Sequence, residues 1–97
     1  MYILSLTYQV ELSVIDSLLD EHATWLEHNY DNGNFVASGR KVPRTGGVIL
    51  ARSSLSRDEV EAIVAQDPFA RSGAAAYEIT EFAVTRTAEG FEPVREA

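Results

Sequence analysis

The sequence predicts one α+β domain, a four-stranded antiparallel sheet covered by two helices. Three observations predict it. Four short segments are rich in β-branched and aromatic residues with alternating polarity. Two longer segments repeat apolar residues at three- and four-residue spacing. Gly, Pro and Asn punctuate the joins between them. A chain of 97 residues suffices for one modest core and leaves little for a second.

Tyr2 to Tyr8 (YILSLTY) is the first strand, with Tyr2, Leu4, Leu6 and Tyr8 on one face and Ile3, Ser5 and Thr7 on the other. A helix is predicted from Ser13, its N-cap, to Asn32. Ile15, Leu18, Leu19, Trp25, Leu26 and Tyr30 form its apolar stripe, and Asn32-Gly33 ends it. Phe35 to Lys41 is the second strand. Strict alternation sets Phe35, Ala37 and Gly39 on one face and Val36, Ser38 and Arg40 on the other. The turn Pro43-Arg44-Thr45-Gly46-Gly47 joins it to a third strand, Val48 to Arg52, as a hairpin.

Ser56-Arg57-Asp58-Glu59 is a capping box that opens a second helix through Gln66, with Val60, Ile63 and Val64 apolar. Asp67-Pro68 breaks it. Residues 68–75 are small and irregular, and Tyr77 to Arg86 is the fourth strand. The domain is placed at residues 1–87, and 88–97 is a polar tail expected to be loose or to pack on a partner. The order β-α-β-β-α-β is the ferredoxin-like arrangement, with both helices on one sheet face. Ser5, Thr7, Ser38, Arg40, Glu78 and Thr80 supply small or polar strand positions. If they share the other face, a second subunit laid there would enclose a partly polar cavity. A homodimer is the expectation.

The balance of 15 acidic to 8 basic residues, a formal charge of −7, opposes binding to nucleic acid or to anionic lipid. A local basic cluster would still hold a small anion. The absence of cysteine excludes disulfides, thiolate nucleophiles and thiolate metal sites. The N-terminus lacks the build of a signal peptide, and no apolar run approaches the roughly 20 residues of a membrane span. Cytoplasm is the expected compartment, and no cofactor is expected.

The two histidines differ in placement. His28 shares the outer helix face with Glu21 and Thr24 and reads as solvated. His22 sits four residues after Leu18 and four before Leu26, on the apolar stripe. Burial there requires hydrogen-bond partners. One reading is a structural histidine tied to a carbonyl. The other is a general acid or base, for which a carboxylate would fix the tautomer. Asp67 is the candidate carboxylate, and it also suits an N-cap before Pro68. Asp16, Asp20, Glu21, Asp58, Glu59 and Glu61 read as solvation of outer helix faces. The six-residue spacing of His22 and His28 does not suit a metal. Gly46-Gly47 lies in a hairpin and is no phosphate loop. Ser38 lacks the context of an esterase nucleophile.

His22, Ser38-Gly39, the run Pro43 to Ala51, Ala65-Gln66-Asp67-Pro68-Phe69 and Tyr77 together resemble the YCII-related (YciI-like) family over residues 1–87. The resemblance implies a dimeric α/β barrel of ferredoxin-like subunits, each with a pocket. It implies a His–Asp pair, here His22 and Asp67, proposed as catalytic across the family, and related dimeric barrels act on small aromatic or polyketide-like compounds. One branch of the family removes chloride from a hydroxylated aromatic ring. A lyase, dehydrochlorinase or isomerase without a cofactor would fit, as would a non-catalytic metabolite-binding or accessory module. Ser38, Arg40 and Arg44 are the expected substrate-binding residues. Arg40 departs from the family, which usually has proline there. It adds a fork-shaped cation that would favour a carboxylate, phenolate or enolate if it enters the pocket, and it would otherwise pair with Asp67 or lie outside.

Overall fold

The computed structural model describes residues 1–97. The elements run β1 (Tyr2–Tyr8), α1 (Leu12–Asp31), β2 (Phe35–Arg40), β3 (Gly46–Ala51), α2 (Arg57–Ala65), α3 (Pro68–Arg71), β4 (Ala75–Glu81) and α4 (Glu92–Glu96). The sheet order is β2-β3-β1-β4, antiparallel throughout. The predicted α+β architecture is therefore the observed one.

Register explains the layering. Tyr2, Leu4 and Leu6 of β1 are buried, while Ile3, Ser5 and Thr7 between them are less so. Leu4 lies opposite Ile49 on one side and Ile79 on the other. Those residues join Ile15 and Trp25 of α1, Val60 and Val64 of α2 and Phe69 of α3 in one core cluster. All three helices thus cover the same sheet face. Each large side chain removed from water there contributes about 1.5–3 kcal/mol.

Local chemistry sets the boundaries. α1 begins at Leu12 rather than after the predicted Ser13 cap. The backbone carbonyl of Glu11 already accepts from Val14 and Ile15, and no side chain caps the end. At its C-terminus Gly33 adopts φ +74, which glycine reaches without strain. The predicted capping box is present in full: Ser56 Oγ accepts from Glu59 N–H, and Glu59 accepts from Ser56 N–H. β4 spans 75–81 instead of 77–86, because its partner runs out. Tyr2 lies opposite Glu81, and Met1 offers one further carbonyl, to Phe82 N–H. The tail is not wholly loose: its last turn forms α4, and the Ala97 carbonyl accepts from Ser53 N–H and Ser53 Oγ–H.

The strand faces of β2 differ from strict alternation. Phe35 lies opposite Ala51 and Ala37 opposite Leu50, so Val36 is an extra residue at a bulge. The bulge puts Phe35, Ser38 and Arg40 on the helix-covered face, and Ala37 and Gly39 on the outer one. Ser38 and Arg40 are therefore not on the outer face with Ser5, Thr7, Glu78 and Thr80. A cavity that includes them lies between sheet and helices, within one chain.

Candidate functional site

The site begins at the break between α2 and β4. Asp67 caps α3, with Oδ1 accepting from Phe69 N–H at 3.0 Å and Pro68 at the first helical position. That cap leaves carboxylate capacity to spare. Oδ1 also accepts from His22 Nδ1 at 2.7 Å, and Oδ2 accepts from the Tyr77 hydroxyl. Asp67 is fully buried, so its three donors replace the water it has lost. The His22–Asp67 contact fixes the ring as the Nδ1–H tautomer, since a carboxylate accepts. Burial pushes the Tyr77 phenol above its ordinary range, and the Asp67 charge pushes it further. Tyr77 therefore stays a donor.

His22 is sandwiched as well as tethered. Its ring stacks on Phe69 at 4.1 Å between centroids and 11° between planes, with Trp25 tilted beside it at 5.5 Å. Trp25 in turn donates Nε1–H to the Ile63 carbonyl. His22 Nε2 has no protein partner, yet no buried polar side-chain atom is left unsatisfied. Nε2 is thus open to solvent, and His22 lines a cavity of about 450 Å³ between α1, α3 and the sheet.

Leu6, Tyr8, Leu19, Leu26, Ile49 and Phe69 give that cavity apolar and aromatic walls. Ser38, Arg40 and Arg44 line it too. Ser38 Oγ meets the Tyr30 hydroxyl at 2.6 Å. Arg44 Nη2 donates to Asp16 Oδ1 at 2.6 Å, so Asp16 is an ion-pair partner on the cavity rim and not a plain solvated residue. That hydrogen bond holds the Arg44 proton more tightly than usual. Arg40 does not reach Asp67 and forms no ion pair. The five sequence-predicted site residues therefore border or support one cavity.

Tyr77, Phe69 and Tyr8 carry the site's geometry without having been singled out for it. Tyr77 was detectable in principle: a tyrosine on a strand face with apolar neighbours needs a buried partner for its hydroxyl. His28 is exposed and meets only Asn32 Nδ2, at 3.1 Å. No group of three His, Cys, Asp or Glu side chains comes together in metal-ligating geometry. No helix is long and apolar enough to cross a membrane.

A solved structure similar to this one is the 5-chloro-2-hydroxyhydroquinone dehydrochlorinase TftG from Burkholderia phenoliruptrix AC1100, in complex with 2,5-dihydroxybenzoquinone. The TM-score is 0.69 at 21% identity, covering 84% of this chain and 93% of that one. At that identity the likeness speaks for the fold. No curated protein sequence matches the chain. The model of the YCII-related domain matches residues 1–83, the stretch that builds the sheet, the three helices between its strands and the His22–Asp67 contact. The chain belongs to the YCII-related family.

Proposed function

We propose that the chain is a small-molecule enzyme in which His22 acts as general base and acid and Asp67 orients it. The observation that carries this reading is the division of labour on one imidazole: Nδ1 is held by a buried carboxylate at 2.7 Å, while Nε2 is unpartnered at a cavity wall. The Nδ1–H tautomer leaves the lone pair on Nε2. There it takes a proton from a hydroxyl or an acidic carbon of the substrate, and Asp67 steadies the resulting imidazolium. Ser38, Arg40 and Arg44 stand around the same cavity and offer hydrogen-bond donors to a bound anion. The electron pair forms a carbonyl and a ring or chain carbon takes the proton back from His22, which completes an isomerisation; where that carbon bears chlorine, loss of a second hydroxyl proton forms a second carbonyl and expels chloride. These are the lyase, dehydrochlorinase and isomerase outcomes, and none needs a redox partner. The dehydrochlorinase activity of TftG makes chlorinated hydroxyquinols the first compounds to try.

The outer sheet face supports pairing with a second copy of the chain. Ile3, Val48 and Leu50 lie there, half-buried, on the side of the sheet away from α1, α2 and α3.

Chloride release from 5-chloro-2-hydroxyhydroquinone, and deuterium uptake from solvent by enolisable acids, test the assignment. His22→Gln is expected to lower turnover about 10²- to 10⁴-fold, the usual share of a general base. Asp67→Asn is expected to lower it in the same direction. Full turnover in His22→Gln defeats the catalytic reading. A compound that raises the melting temperature and is recovered unchanged favours a metabolite-binding module.

A further inference from the structure

The chain is acidic overall, with 15 acidic against 8 basic residues, yet two of those basic residues line its cavity. They are not equivalent. Arg44 is committed to Asp16, the one other rim residue with a full charge. Lys41, next along the chain, donates to Thr7 Oγ1 at 3.2 Å. Of these three neighbouring cations, Arg40 alone keeps its side chain free of ion pairs and side-chain hydrogen bonds.

The backbone presents that guanidinium to a ligand. Arg40 lies opposite Gly47, and Ser38 opposite Ile49, on the helix-covered face. Gly47 leaves the sheet bare beside Arg40. A Cβ there would meet the Leu6 side chain at 3.3 Å and the Gly39 carbonyl at 3.0 Å. The cavity thus has His22 Nε2 at one wall, aromatic and apolar surfaces at Phe69 and Tyr8, and one unpaired cation on β2.

We propose that this site selects planar carboxylates, with the carboxylate held by Arg40 and the ionisable hydroxyl or C–H turned to His22. The second half of that orientation rests on the reading of His22 as the reacting base. A guanidinium presents paired N–H donors in the geometry of a carboxylate, and a fork-to-fork contact adds direction to charge. One free positive charge balances one carboxylate and leaves a phosphate dianion half compensated. The stacked His22–Phe69 wall favours a flat, conjugated body. Ser38 Oγ, already paired with the Tyr30 hydroxyl, stands on the same strand face for a further hydrogen bond.

The test compares 4-hydroxybenzoate with 4-hydroxybenzamide, nearly the same shape with and without the charge, by calorimetric titration of the full chain. The acid is expected to bind about 10- to 100-fold more tightly, the usual worth of a hydrogen bond to a charged group. Added salt is expected to weaken the acid alone. Arg40→Gln is expected to bring the two affinities together with no change in melting temperature, and Arg40→Lys to recover part of the gap. Equal binding of acid and amide, a gap that survives Arg40→Gln, or no binding of the acid at millimolar concentration overturns the proposal. So does inorganic phosphate displacing the acid at equal concentration. His22→Gln separates the two readings. Selectivity for the acid that persists in that variant, with no turnover in the wild type, sustains the carboxylate site and defeats only the enzyme. Turnover without selectivity defeats only the carboxylate site.

Discussion

Asp67 holds three jobs at once, capping α3, orienting His22 and receiving the Tyr77 hydroxyl. The first two roles were legible because each leaves a mark in the sequence: a carboxylate before Pro68, and a histidine on an apolar stripe. The third was not, because β4 is brought beside α3 only by the sheet. Asp16 was misread for the same reason, since Arg44 reaches it from 28 residues away. Tyr77→Phe isolates the third role. It removes one donor from a buried carboxylate and is expected to cost about 1–3 kcal/mol in denaturant unfolding. It also changes the alkaline limb. The folded Tyr77 pKa lies above the unfolded value of 10.0, so the stabilisation is whole below pH 10 and declines as the unfolded chain ionises above it. That part of the slope is expected to vanish in the variant, as thermal melts from pH 9 to 11 would record.

At the level of elements, the two strongest local signals proved the most dependable. The S-x-x-E run at Ser56 and the Asp-Pro step at Asp67 each place a cap from side-chain chemistry that acts within three residues. The β2 bulge escaped because nothing in Phe35–Arg40 announces an extra residue; pairing with β3 imposes it. The end of β4 escaped likewise, being set by the length of β1. The capping box gives α2 an acid sensitivity. The Ser56 backbone N–H holds the Glu59 carboxyl below its ordinary value of 4.5, so its contribution is complete above that pH and is lost as pH falls through the folded value. Ser56→Ala is expected to lower stability by about 1 kcal/mol at neutral pH. Glu59→Gln is expected to flatten the loss between pH 5 and 3 while leaving the alkaline side unchanged, a comparison that melting curves across the range provide.

For the molecule as a whole, the predicted class, order of strands and two main helices, and sheet type agree with the structure, which adds α3 in the stretch expected to be irregular and α4 in the tail; the small and polar strand positions, conditionally read as one face, divide between two. Ser5, Thr7, Glu78 and Thr80 look outward, and Ser38 and Arg40 look inward. The outward face also carries Ile3, Val48 and Leu50, so a two-chain assembly through it is the expected state in solution. Light scattering is expected to give twice the chain mass, and Leu50→Lys to give a single chain that still shows the fluorescence and far-ultraviolet spectra of the fold. A single chain in the wild type at high concentration would rule the assembly out. Such an assembly would be back to back, with each cavity on the far side of its own sheet. Period-two alternation then assigns neighbouring codons to different selective demands. A change at position 38 or 40 alters a side chain turned to the cavity, while a side chain added at 39, whose backbone edges the same cavity, would point to the outer surface. Ligand preference and self-association can therefore drift independently along a single strand.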